Sequence, residues 1–327
     1  MSVFIDDAWR LGRLALPDVL AGPVDAVLDT DTYNEIDDQF ALAYMLLSPE
    51  RIRLQAVYAA PFHNPRSAGP GDGMAKSYDE ILRVFERMER DDGEAMARRG
   101  SEAWMDDAGP VKSPAADDLI DRAMARDPQG PPLYVVAIGA PTNVSSALSS
   151  TPEIAERIVV VWLGGQPRLH PHTQEFNLIQ DRTASSVLLD CGVPLVRVPC
   201  VNVAEKLRTT VPELSHHLAA NNGLCDFLVE RFTEYEKYET QSDTWKSRQF
   251  PGRPLAYAKE IWDVAPVAWL IDPAWCPSVT VSSPRLTATA DGTPFWSLDA
   301  GRPLIRECRD VHRDVVFGDL FEKLAAG

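Results

Sequence analysis

Five short runs dominated by apolar residues, separated by stretches of helical period, constrain this chain most. Val24–Leu28, Arg53–Tyr58, Leu133–Ile138, Ile158–Leu163 and Pro194–Val198 each read as a strand. Strands covered by helices on both faces of a parallel sheet need such near-continuous apolar runs. Between them, Phe40–Leu47 reads as an apolar helix. Met74–Arg90 reads as another, with Ile81, Leu82, Phe85 and Met88 on one face. A third opens with Ser113 as N-cap and Pro114 in the first turn. Strand and helix alternate from residue 24 to about 200, which predicts a single doubly wound, mostly parallel sheet flanked by helices, a Rossmann-like α/β fold. Helical period dominates from Val211 through Tyr235 and from Lys259 to Ile271. Short alternating runs from Ser278 to about Cys308 predict a small antiparallel appendage. No compositional break marks a linker, so residues 1–327 are read as one domain.

The turn after the first strand is the chemical focus. Asp29-Thr30-Asp31-Thr32-Tyr33-Asn34-Glu35-Ile36-Asp37-Asp38 holds five carboxylates in ten residues. Open α/β sheets place their ligands at strand-to-helix turns. Carboxylates crowded together repel unless a cation sits among them, and Ca²⁺ or Mg²⁺ suits oxygen donors. Helix capping by Asp37 or Asp38 accounts for one or two of the acids. It leaves Asp29 and Asp31 unexplained. The segment from Pro65 to Gly73, rich in Pro and Gly, reads as a loop, and its glycine spacing is not a phosphate-binding fingerprint.

Composition narrows the partners. The chain has 327 residues and a net charge of -16, from 32 basic and 48 acidic residues. An acidic surface repels phosphate backbones, so no nucleic-acid partner is expected. No apolar run has the length of a membrane span, and residues 1–7 lack a basic stretch followed by an apolar core, so neither membrane nor signal peptide is expected. Cys191, Cys200, Cys225, Cys276 and Cys308 are odd in number, without a C-x-x-C pair, which predicts free thiols in a reducing, cytoplasmic setting.

Four motifs, in order, carry a resemblance to a known family. The acidic turn is similar to the D-x-D-P-G-x-D-D cluster of the nucleoside hydrolases, two residues longer and without the Pro-Gly pair. Ala137-Ile138-Gly139-Ala140-Pro141-Thr142-Asn143 is similar to A-x-G-P-L-T-N. Trp162-Leu163-Gly164-Gly165 followed by Glu175-Phe176-Asn177 resembles M-G-G…E-F-N, and Trp262-Asp263-Val264-Ala265-Pro266-Val267-Ala268 resembles H-D-P-x-A-V-A. The resemblance implies a calcium-dependent N-ribohydrolase acting on a nucleoside or related ribosyl compound, usually a homodimer or homotetramer. It implies metal ligands Asp31, Asp38, Thr142 through its carbonyl, and Asp263. It also implies Asp31 as general base, and Asp37, Asn64, Glu175 and Asn177 as ribose contacts. Asp29 is then a support for the metal shell.

Two departures bear on leaving-group activation. Trp262 stands where many members have an acidic His, and stacking of its indole on the base is one expectation. His170 and His172 flank Pro171 in place of the family's G-N-V-T-P and are the other candidates for the acid. Two further readings stay open on the sequence. One is a metal-containing ribose- or nucleoside-binding protein with impaired catalysis. The other is a metal-dependent phosphohydrolase, disfavoured because no cluster of metal-binding histidines is found.

Overall fold

The computed structural model describes residues 6–106, 109–241, 248–249 and 256–327. Its strands are β1 (Val24–Thr30), β2 (Ile52–Ala59), β3 (Ala97–Arg99), β4 (Leu133–Ala137), β5 (Ile158–Leu163), β6 (Leu195–Val198), β7 (Arg208–Thr209), β8 (Lys259–Glu260), β9 (Ser278–Ser282), β10 (Arg285–Ala288), β11 (Pro294–Ser297) and β12 (Leu304–Cys308). Eight of them form one sheet in the order β3-β2-β1-β4-β5-β6-β12-β9. All neighbours pair parallel except β12 and β9, which pair antiparallel. β10–β11 and β7–β8 are separate antiparallel pairs.

The apolar runs do what their composition predicts. β4 and β5 are buried along their whole length, because helices cover both faces. One face packs on helices Asp38–Leu46, Pro70–Arg87 and Val264–Ile271, and the other on Pro114–Met124, Thr142–Ser150 and Arg182–Asp190. Helix Asp38–Leu46 is buried from Asp38 to Met45, which explains the unbroken apolar run that starts at Phe40. Ser113 caps its helix as expected, accepting from Ala116 N at 3.2 Å.

Several boundaries differ from the sequence reading. The helix expected at Met74 begins at Pro70, so part of the expected Pro/Gly loop is helical. Pro suits a first helical turn, where its missing N–H is unpaired anyway. Gly73 serves a close approach: a Cβ there would lie 2.0 Å from the Phe62 carbonyl oxygen. Within the polar stretch from Asp91 to Val111, residues Ala97–Arg99 form the edge strand β3. Lys259–Glu260 pairs with Arg208–Thr209 as β8, and the helix there starts only at Val264. The tail is also more integrated than expected, since β9 and β12 extend the main sheet and only β10–β11 stands apart.

Candidate active site

β1 and β4 are neighbours at the centre of the sheet, and the chain continues from them toward opposite edges, to β2 and to β5. A crevice opens at the carboxyl ends of strands where the order reverses in this way. Asp31–Asp38 leaves β1 there, and Gly139–Thr142 leaves β4 beside it. The two turns touch. A Cβ at Gly139 would lie 3.1 Å from Ala60 Cβ and 3.2 Å from Asp31 N, so any larger residue would press the two turns apart by a few tenths of an ångström.

The crevice holds a cavity of about 190 Å³. Asp31, Asp37, Asp38 and Asp263 line it, as do Glu175 and Asn177. Asn34, Glu35, Gln166, Cys200 and Trp262 also line it, together with Ile138, Leu163 and Phe176. Carboxylate oxygens of Asp37, Asp38 and Asp263 all lie within 4.8 Å of one another. Asp263 N donates to Asp37 Oδ2 at 3.4 Å, and Thr30 Oγ1 donates to Asp38. Asp37 occupies the N-cap position but makes no side-chain capping bond, so helix capping does not account for these acids. Asp29 and Asp31 each keep one buried oxygen, Oδ2, without a hydrogen-bond partner.

Such an arrangement calls for positive charge. Burial pushes the Asp38 carboxyl up to about 7, with the Asp37 charge adding to the rise. Burial pushes Asp37 up to about 6, against the pull of the Lys259 ammonium. Asp29 rises to about 7 through burial, opposed by its bond from Asn143 Nδ2. Burial, then the surrounding carboxylates, hold Asp31 and Asp263 well above the usual carboxylate range. Unpartnered buried carboxylate oxygens beside an all-oxygen trio fit a hard divalent cation.

The structure brings most of the expected residues together. Asp31, Asp37, Asp38, Glu175, Asn177, Trp262 and Asp263 share the cavity. The tight trio contains Asp37, for which the sequence implies a sugar hydroxyl, rather than Asp31. Glu175 accepts from the backbone N–H groups of Gly165, Asn177 and Leu178 at 2.8, 2.9 and 3.0 Å, so its carboxylate is rigidly held. Asn177 Nδ2 donates to the Ile138 and Leu163 carbonyls, tying the ends of β4 and β5 together.

Other expected residues stand further back. Asp29 is bound by Asn143 Nδ2 at 2.8 Å, behind the cavity. Thr142 is buried as the first residue of its helix, and its hydroxyl donates to Asp181 at 2.9 Å. Asn64 Nδ2 donates to Asn34 Oδ1 at 2.7 Å, so it supports a cavity residue and is not itself among the lining residues described. His170 and His172 are likewise not among them. They sit edge to face, 4.6 Å between centroids, and His170 Nδ1 lies 2.7 Å from the His172 carbonyl oxygen.

Sequence reasoning did not single out Asn143, Gln166, Cys200, Glu35 or Lys259. Asn143 binds the Ala59 carbonyl and Ser101 N besides Asp29, joining three strand ends. Glu35 had a signal, the two extra residues in the acidic turn. Lys259 had none, being a lone lysine 224 residues from its partner.

Comparison with known proteins places the fold and the family. Residues 70–317 match the model of the inosine-uridine preferring nucleoside hydrolase family, a span that begins after the acidic turn. A pyrimidine-specific ribonucleoside hydrolase, RihA of Citrobacter koseri, is 26% identical over 221 residues, covering 64% of this chain and 66% of that protein. RihA of Salmonella typhimurium is 27% identical over 165 residues, covering 50% of this chain and 49% of that protein. These alignments thus span about half to two thirds of the curated relatives. Among solved structures, a purine-preferring ribonucleoside hydrolase from Gardnerella vaginalis superposes with TM-score 0.70 at 18% identity, over 92% of this chain and 98% of that one. A plant nucleoside hydrolase gives TM-score 0.69 at 19% identity, over 93% and 100%. Matched by one family model along most of its length, this chain belongs to the inosine-uridine preferring nucleoside hydrolase family.

Proposed function

We propose that this protein hydrolyses the N-glycosidic bond of a ribonucleoside or a closely related ribosyl compound, with calcium bound at the acidic cavity. The observation that carries this reading is the convergence of Asp37, Asp38 and Asp263, with Asp31 in the same buried cavity. Asp31, Asp38, Asp263 and the Thr142 carbonyl would hold the ion, with Asp37 placed to join them. When bound, the cation supplies charge that orients a water and lowers its pKa. Asp31 receives that water's proton as general base, at the Oδ2 that has no protein partner. The water oxygen bonds to the anomeric carbon as that carbon's bond to the base nitrogen breaks; the electron pair of the broken bond leaves with the base, which takes a proton from solvent. Positive charge then grows on the sugar, and the acidic wall stabilises it. Glu175 and Asn177 hold ribose hydroxyls from a rigid turn, and Asn64 steadies Asn34 beside them.

Leaving-group activation falls to Trp262 in this reading. Its half-buried indole lines the cavity, whereas His170 and His172 spend their contacts on their own turn. Stacking on the indole face favours departure of a heterocycle. The relatives named above are described as pyrimidine-specific in one case and purine-preferring in the other, so the class proposed is the ribonucleoside. The test is a panel of purine and pyrimidine ribonucleosides, assayed for base release with added calcium and after metal removal. Release of base that disappears without metal and returns with calcium supports the reading. No cleavage of any nucleoside, or cleavage indifferent to metal, refutes it.

A further inference from the structure

Glu35 lies between Asp31 and Asp37, a stretch two residues longer here than in the D-x-D-P-G-x-D-D pattern. Its carboxylate is ion-paired with Lys259, whose side chain is 4% exposed, yet Glu35 keeps 28% of its own side-chain surface and lines the cavity. The Lys259 ammonium also lies 4.1 Å from the Trp262 ring centroid and 5.1 Å from that of Tyr235. One cation therefore fixes both the carboxylate and the indole. Lys259 is not among the residues described as lining the cavity, so of this pair the cavity meets the acceptor and not the donor.

The chemistry of a carboxylate decides what it can recognise. An ionised carboxylate offers about four lone-pair sites and no donor, and Lys259 occupies only part of that capacity. A base stacked on Trp262 presents its polar edge to the groups around the ring. An edge carrying N–H is welcomed by Glu35, and an edge of lone pairs alone is not.

We propose that Glu35, set in place by Lys259, is a specificity-determining residue for the leaving base. It accepts a hydrogen bond from a ring N–H or exocyclic amino group and selects donor-bearing heterocycles. This rests on the nucleoside hydrolase reading given above. Hydrogen bonds to a charged partner support a discrimination of roughly 10- to 100-fold.

The probes are adenosine and inosine, whose bases carry an N–H donor, and purine riboside, whose base carries none. The variant is Glu35→Gln. Lys259 has only donors, so it holds the carbonyl oxygen of the introduced amide and turns the NH₂ toward the cavity. The edge changes from acceptor to donor. The readout is the kcat/KM ratio of each donor-bearing nucleoside to purine riboside, compared between parent and variant, which cancels the substrates' own reactivity. For at least one of the two, the ratio should fall about tenfold or more. Ratios unchanged within about twofold overturn the proposal. An equal loss on all three substrates also overturns it, because it places Glu35 on the sugar. A melting curve shows whether the variant folds, and Glu35→Asp, which keeps the charge but shortens the reach, should lower the same ratio if it does not. Calorimetric binding of adenine, hypoxanthine and purine, each methylated at N9 so that purine keeps no N–H donor, as in its riboside, separates this claim from the parent reading. A parent that cleaves nothing refutes the proposed function, while tighter binding of adenine or hypoxanthine than of purine, lost in Glu35→Gln, still supports the assignment. Equal binding of all three bases, unaffected by the substitution, overturns it.

Discussion

Calcium should stabilise this protein more near about pH 8 than near about pH 5, because the carboxylates around it resist ionisation without a cation. Asp38 shows the sign. Its carboxyl moves from 3.8 to about 7 in the folded, metal-free chain. Between those values the native state holds a proton that the unfolded state has lost. Stability from this group is thus fully present below the lower value, falls as pH rises through the window, and is level above it. A shift of roughly 3 units corresponds to about 4 kcal/mol. Asp37 adds a smaller rise in the same direction, and since the two repel each other their costs do not simply sum. A bound cation removes this repulsion, so the gain on adding calcium should grow with pH. At roughly 2 °C per kcal/mol for a chain of this size, the gain in Tm near pH 8 should exceed that near pH 5 by about 5 to 10 °C. The assay melts one batch of metal-free protein with and without saturating calcium in matched buffers, metal content being checked by elemental analysis. A gain equal at both pH values, or larger at the acid end, would refute the electrostatic argument.

Asp31→Asn should leave the fold and ribose affinity largely intact and lower kcat by about 10² to 10⁴, the usual range for loss of a general base; near-normal turnover would assign that role elsewhere. Trp262→Ala should lower kcat on purine nucleosides and Trp262→Phe should restore part of it, while His170→Ala and His172→Ala should change little, as steady-state kinetics of the four variants would show. Glu307→Ala should destabilise the chain by about 3 to 5 kcal/mol in denaturant unfolding, because it strands the buried Arg197, its ion-pair partner. A loss below about 1 kcal/mol would mean that water reaches the site and screens that charge.

The acidic cavity also shows how a lengthened turn is held in place. Asp37 and Asp38 follow the longer stretch from Thr32 to Ile36, and they meet Asp263 from far along the chain. The longer turn is anchored twice. Asn34 accepts from Asn64, and Glu35 pairs with Lys259 on the short strand β8. Arg66 adds a third tie, donating to the Asn34 carbonyl at 2.8 Å while its guanidinium lies 4.6 Å from the Tyr33 ring centroid. The turn is held by three partners from two other segments, residues 64–66 and β8, which leaves the aspartates on either side free to face the cavity.

Signals that act over a few residues are legible in the amino-acid sequence by itself. Near-continuous apolar runs announce β1, β2, β4, β5 and β6, because a strand buried on both faces tolerates little else. The carboxylates between Asp29 and Asp38 announce a charged site, because groups so near in sequence cannot move far apart in space. Tertiary structure decides what depends on distant segments meeting. The short β3 reads as polar loop, because three residues carry no period, and it is a strand only through β2. Asp37 joins the trio because helix Val264–Ile271 delivers Asp263 beside it, 226 positions away. The two histidines look like acids in the sequence but fold onto each other, while the lone Lys259 finds Glu35 and Trp262. Local pattern reports which face of an element is buried. It carries no information on which face it will meet, and that is set by the order of strands in the sheet.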